Sequence, residues 1–209
     1  NNKDEDPDKV QATALTSITI TSLAFLLLFL PNAELIGGHL NYNPDYISYT
    51  IWILALDALI IIPFAWFRAK ERPMVYAALR ILNVAINLGL NLFFLLVLPK
   101  LAQANTDSFW NSIYYPENLV SYAFISNIIA SGISFLLVLP LYFKIGFKLD
   151  KALWKRMLIY AMPILLAGIA FSINEALDKI LLRHILPSDI ADAEVGVYAA
   201  CYKLGMFMT

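Results

Sequence analysis

Five stretches of this sequence run for about the thickness of a membrane with almost no charge, and that pattern excludes most water-soluble folds. Residues 10–33, 81–99, 119–143 and 157–174 contain no Asp, Glu, Lys or Arg, and 47–67 contains one, Asp57. A helix crossing the hydrocarbon core needs roughly 20 mainly apolar residues, and in lipid a lone segment satisfies its backbone hydrogen bonds only as a helix. The runs therefore predict an all-α, polytopic transmembrane helix bundle with spans near 12–31, 47–67, 74–98, 119–143 and 157–185. Composition agrees: 60% of residues are hydrophobic and 15% charged, against about 45–50% and about 25% in soluble domains.

A sixth run, 195–209, stops while still apolar, and the chain opens on Asn1 in an acidic stretch. The sequence is therefore expected to be a piece of a longer protein. One cysteine, Cys201, and two histidines, His39 and His184, make neither an internal disulfide nor a Cys/His metal cage. No metal and no other cofactor is expected, nor is a nucleic-acid partner.

Lys and Arg collect on the side of the membrane where a chain is made. Lys3, Lys9, Arg68, Lys70, Arg72, Lys144, Lys148, Lys151, Lys155 and Arg156 fall on one side of the alternating spans, against Lys100, Lys179 and Arg183 on the other. This bias predicts a cytoplasmic N-terminal segment. The connection 144–156 mixes its cations with Phe147, Leu149, Leu153 and Trp154. It reads either as an amphipathic helix on an anionic leaflet or as a plain basic loop.

Charges inside a membrane face a partner or a wet cavity. Asp57 sits mid-span, and the short turn after Phe67 brings the next helix alongside, so a contact with Arg80 or Asn83 is expected. Tyr76, Arg80, Asn83, Asn87 and Asn91 fall within an arc of about 80° on that helix. Such an arc either lines a hydrated passage or bonds a neighbouring helix. The hydroxyls of Thr13, Thr16, Ser17, Thr19, Thr21 and Ser22 carry little signal, because such groups also bond their own backbone. Further on, Glu175, Lys179 and Arg183 recur every four residues beside Asn174 and Asp178, after a stretch weakened by Pro163 and Gly168. Interrupted helices with polar clusters mark transporter sites, and i,i+4 ion pairs near a headgroup region are equally ordinary.

The sequence has no G-x-x-x-x-G-K-[ST] phosphate loop, no H-E-x-x-H and no G-x-S-x-G, so an enzyme is not expected. Transport, if that is the activity, would draw on an ion gradient, the membrane potential or the substrate's own gradient.

The ordered stretches DALIIIPFAWFRAKERP (57–73), YAALRILNVAINLGLNLFF (76–94), INEALDKILLRHILP (173–187) and GVYAACYKLGMFMT (196–209) resemble bacterial polysaccharide-biosynthesis flippases. These belong to the multidrug/oligosaccharidyl-lipid/polysaccharide exporter superfamily. The resemblance implies that the helices are about the third to eighth spans of a two-lobed fold around a central cavity that opens inward and outward. Residues 1–143 would be part of the first lobe, 144–156 the cytoplasmic connector and 157–209 the start of the second lobe.

The implied activity is flipping of oligosaccharides linked to undecaprenyl pyrophosphate across the bacterial cytoplasmic membrane for surface polysaccharide synthesis. Membrane lipids and a coupling proton or sodium ion would be the other partners. An anionic substrate calls for cations and amides, so Arg80, Asn83, Asn87, Asn91, Lys179 and Arg183 are the expected cavity residues. Asp57, Glu175 and Asp178 would be coupling or structural ion-pair groups. A cation-coupled multidrug antiporter and a membrane-embedded enzyme acting on polyprenyl lipids are the competing readings.

Overall fold

The computed structural model describes residues 6–40, 42–104, 114–115, 119–187 and 190–206. No strand occurs among them, and five helices are long and apolar enough to cross a membrane. In chain order the helices are α1 (Pro7–Phe29), α2 (Ala33–Leu40), α3 (Pro44–Ala69), α4 (Pro73–Leu92), a π-helical turn (Phe93–Val97), α5 (Leu98–Ala104), α6 (Leu119–Ile145), α7 (Lys151–Ile185) and α8 (Ala191–Met206). The all-α membrane bundle expected from the apolar runs is present. The last three residues of the run 195–209 lie outside the described residues.

Proline opens three of the helices, at Pro7, Pro44 and Pro73. At the first helical position its missing N–H is no loss and its fixed φ suits the helix. Asp6 and Asn43 cap α1 and α3, their side chains accepting from the Asp8 and Asp45 amides at 3.1 and 2.9 Å. These polar first turns explain why α1, α3 and α7 begin at 7, 44 and 151 rather than at 12, 47 and 157. Hydropathy marks where lipid begins, and the caps mark where the helix begins.

The turn between α3 and α4 closes with two crossed bonds, Arg72 N to Phe67 O at 2.9 Å and Glu71 N to Arg68 O at 3.2 Å. That is a Schellman motif, with Glu71 at φ 53° in the left-handed position usually held by glycine. α6 ends the same way in conformation, at Gly146 with φ 74°. The π turn precedes Pro99, which has no N–H to give and whose ring crowds the Leu95 carbonyl one turn back.

The chain divides into two compact units, 1–154 and 155–209. In the first, α6 is the central helix and packs on α3, α4 and α1. Its buried residues Tyr122, Ser126, Ala130, Ser134, Val138 and Tyr142 recur every four positions, and the small side chains among them let neighbouring backbones approach closely. Leu15, Ile60, Phe64, Val138 and Tyr142 form the core, with Phe135, Tyr76 and Leu79 packed against it. Pro63, inside α3, withholds an N–H from the Leu59 carbonyl. The Tyr142 hydroxyl reaches over from α6 and donates to that carbonyl at 2.6 Å.

Residues 144–156 are not one surface helix. Lys144 and Ile145 end α6, residues 146–150 are non-helical, and 151–156 are the first turns of α7. The Asp150 carboxylate caps α7, accepting from the Ala152 and Leu153 amides at 3.0 and 3.1 Å. This connection lies on α1. Thr13 Oγ1 accepts from the Asp150 amide at 3.4 Å and Ser17 Oγ accepts from Trp154 Nε1 at 2.8 Å, while the single proton of the Thr16 hydroxyl goes to the Ala12 carbonyl at 2.7 Å. Two α1 hydroxyls thus hold the connector, a role that the backbone-bonding habit of such groups concealed.

The second unit holds the rest of α7 together with α8. α7 runs unbroken through Pro163 and Gly168 for 35 residues, about 52 Å, so it exceeds the roughly 30 Å hydrocarbon thickness. Beyond Trp154 most of its apolar side chains are uncovered in this unit, a surface that calls for lipid or further protein.

Candidate functional site

The site is set by three polar groups near the middle of the first unit. Asp57 stands 12 residues from the Ala69 end of α3, about 18 Å from it, while Arg80 and Asn83 stand about 10 and 15 Å from the Pro73 end of α4. With α3 ending and α4 starting at the same tight turn, the three lie at comparable depth. They line one cleft of about 250 Å³, with Ser134 of α6 and the apolar walls Ile60, Ile61 and Phe64.

The contacts differ from the direct pairing expected of Asp57. No ion pair joins Asp57 to Arg80 among the described residues; the carboxylate accepts from Ser131 Oγ at 2.6 Å. Asn83 Nδ2 donates to Ser134 Oγ at 2.9 Å. The reason lies in the packing, since α3 and α4 each meet α6 more extensively than they meet one another. Two serines one turn apart on α6, both buried, therefore take the polar groups of the two flanking helices. Those hydroxyls were silent in the sequence because they sit in an uncharged apolar run. The spacing Ser126, Ala130, Ser134 was the available signal, as a stripe of small residues marks a close helix interface.

Asp57 and Arg80 are exposed on the protein and Asn83 is half-buried. An exposed carboxylate and guanidinium at mid-bilayer depth cannot rest against acyl chains, so this face meets water or other protein. The cleft holds one acid and one base and is formally neutral. It offers acceptors at Asp57 and donors at Arg80 and Asn83, a mixture suited to hydroxyl groups, with the guanidinium also able to grip a phosphate.

Higher on α4 the arc turns inward on itself. Asn91 Nδ2 donates to the Asn87 carbonyl at 2.9 Å and to Asn87 Oδ1 at 2.6 Å. Asn83 thus bonds another helix, while Asn87 and Asn91 bond along their own, and both remain half-buried.

In the second unit the acidic and basic residues of α7 form a ladder with α8. Lys179 Nζ lies 3.8 Å from Glu175 Oε1 and 5.5 Å from the centroid of the Tyr202 ring. Arg183 Nε lies 3.0 Å from Asp192 Oδ1, and the Tyr198 hydroxyl donates to Asp178 Oδ2 at 3.3 Å. Lys179 and Arg183 are engaged by protein acids here, so an anionic ligand would have to displace them. Individually such exposed pairs contribute little, about 0–1 kcal/mol.

No curated protein and no solved structure matches the chain. The model of the family described as "Polysaccharide biosynthesis protein" matches residues 1–209. A multi-pass helical bundle with an amphoteric mid-depth cleft, matched over its whole length by that model, belongs to the polysaccharide biosynthesis protein family.

Proposed function

We propose that this chain forms part of a transporter that moves an oligosaccharide linked to undecaprenyl pyrophosphate from the inner to the outer face of the bacterial cytoplasmic membrane. Family membership and five membrane-length helices support a membrane transporter of polysaccharide synthesis. The observation that carries the finer reading is the cleft, where a carboxylate, a guanidinium and an amide line one wall at a depth reserved for lipid tails. Sugar hydroxyls exchange hydrogen bonds with Asp57 and Asn83, and Arg80 meets the phosphate end of the substrate. Asn87 and Asn91 extend the polar wall along α4. Lys179 and Arg183 draw the anionic head by exchanging their carboxylate partners for phosphate. No covalent bond is made or broken, and the N-terminal segment faces the cytoplasm with the basic connections.

The test is transport of a fluorescent lipid-linked oligosaccharide by the full-length protein in liposomes. Losing a charge-assisted hydrogen bond costs roughly 1.5–3 kcal/mol, so Arg80→Ala is expected to slow transfer about ten- to a hundredfold while insertion and thermal stability stay near normal. Wild-type transfer by a stably inserted Arg80→Ala protein refutes the assignment.

A second reading, a cation-coupled multidrug antiporter, is favoured by one observation. Asp57 lines the cleft without an ion pair, which suits a group that takes up and releases a proton or sodium ion. Efflux of a cationic dye that Asp57→Asn abolishes, with no transfer of the oligosaccharide lipid, would establish that reading.

A further inference from the structure

The strongest remaining feature is a pocket of about 390 Å³ at the end of the first unit where α1 and α4 begin and α3 and α6 finish. Asp8 and Gln11 come from α1, Trp66 from α3, Lys70 and Arg72 from the turn that follows, and Lys144 from the last turn of α6. Three cations face one acid. Lys70 Nζ lies 3.5 Å from Asp8 Oδ1, a long and exposed pairing, so the pocket keeps an excess of two positive charges. Lys144 Nζ sits 5.7 Å from the centroid of the buried Trp66 ring, which gives the pocket an aromatic floor.

One atom in this lining is anomalous. Gln11 Oε1 is buried with no hydrogen-bond partner, and no other buried side-chain polar atom among the described residues is in that condition. With no accessible surface, that oxygen faces protein and not the pocket, so it adds no contact to a ligand there. The charge excess asks for an anion, and helix ends place it at headgroup depth. Basic pockets between transmembrane helices recognise anionic headgroups by this combination. At about 30 Å³ per water in the liquid, the volume equals roughly a dozen waters, room for a glycerol phosphate moiety.

We propose that this pocket binds the phosphate headgroup of an anionic membrane lipid such as phosphatidylglycerol. The phosphate sits among Lys70, Arg72 and Lys144. The site is separate from the mid-depth cleft and depends on the membrane setting alone, not on what the protein transports. By joining the starts of α1 and α4 to the ends of α3 and α6, the lipid stabilises the first unit through mass action.

The experiment is native mass spectrometry and thermal melting of the full-length protein in detergent, with added phosphatidylglycerol, phosphatidic acid, phosphatidylcholine or soluble glycerol 3-phosphate. Phosphatidylglycerol and phosphatidic acid are both expected to bind wild type at least about tenfold more tightly than phosphatidylcholine, which carries no net charge. At about 1 kcal/mol per cation, Arg72→Gln with Lys144→Gln should weaken phosphatidylglycerol roughly thirtyfold. Competition on wild type alone needs no variant to fold. Equal retention of phosphatidylcholine overturns the site, and glycerol 3-phosphate binding as tightly as phosphatidylglycerol shows a soluble-anion site and overturns the lipid assignment. Undiminished phosphatidylglycerol binding by the Arg72→Gln, Lys144→Gln protein overturns the cationic site.

Discussion

The two units use the same kinds of polar residue in opposite ways. In the first, Asp57, Asn83 and the Leu59 carbonyl are met by Ser131, Ser134 and Tyr142 of α6, all three of these buried. In the second, Glu175, Asp178, Lys179 and Arg183 are met by one another and by α8, Glu175 and Lys179 at half-exposed positions and Arg183 and Asp192 with side-chain exposures of 54% and 76%. Burial decides what each arrangement is worth. A hydroxyl that satisfies a group in a dry interface prevents a penalty of about 1–3 kcal/mol. An ion pair that water can replace contributes a fraction of that. The buried α6 hydroxyls of the first unit are therefore fixed supports that hold Asp57 and Asn83 at the cleft, and the charged groups of the second form a ladder that can exchange partners.

The contrast breaks most readily at α6. Ala130 is fully buried in the stripe that lets α6 meet its neighbours. Ala130→Leu forces three further carbon atoms into a packed interface, a change that costs about 1–3 kcal/mol or more. The expected result is a large fall in thermal stability of detergent-purified protein, visible as loss of the monodisperse peak after mild heating. A variant as stable as wild type would show that the stripe is not a close interface.

A smaller effect sharpens the argument about α3. Tyr142→Phe removes the donor to the Leu59 carbonyl that Pro63 leaves open, and should cost about 1–3 kcal/mol. In the Pro63→Ala background the helix supplies its own N–H to Leu59, so the same change should cost markedly less. Equal losses in both backgrounds would mean that the hydroxyl contributes through packing alone.

Legibility followed the same division. The spans were readable because a bilayer dictates their length, and Asp57, Arg80 and Asn83 stood out because charge and amide are rare in such runs. Their partners were not readable. Ser131 and Ser134 look like any small residues in an apolar run, and which helix lies between which is set by packing, so the tight turn pointed Asp57 to α4, whose Arg80 and Asn83 share its cleft, and gave no sign of its bond to Ser131 of α6. The hydroxyls of Thr13 and Ser17 had a plausible local use, and only the folded connector shows their other one. Gln11 Oε1 could not be singled out at all, because being unpartnered is a property of the fold. The i,i+4 spacing of Glu175 and Lys179 did announce their pair, being local to one helix.

The smallest effect tests the other side of the comparison. Arg183→Ala and Asp192→Ala, made singly and together, form a double-mutant cycle around the 3.0 Å pair. Both side chains are more than half exposed, so solvent screens the attraction and holding two flexible side chains together costs entropy. The expected coupling energy is about 0.2–1 kcal/mol, shrinking further in high salt as the Debye length contracts from about 10 Å at 0.1 M to about 3 Å at 1 M. Thermal melting at the two salt concentrations measures it. A coupling of 2 kcal/mol or more, insensitive to salt, would mean that the pair is desolvated in the membrane. Arg183 would then be a fixed strut and not a cation free to change partners, and its proposed part in drawing an anionic head would fail with it.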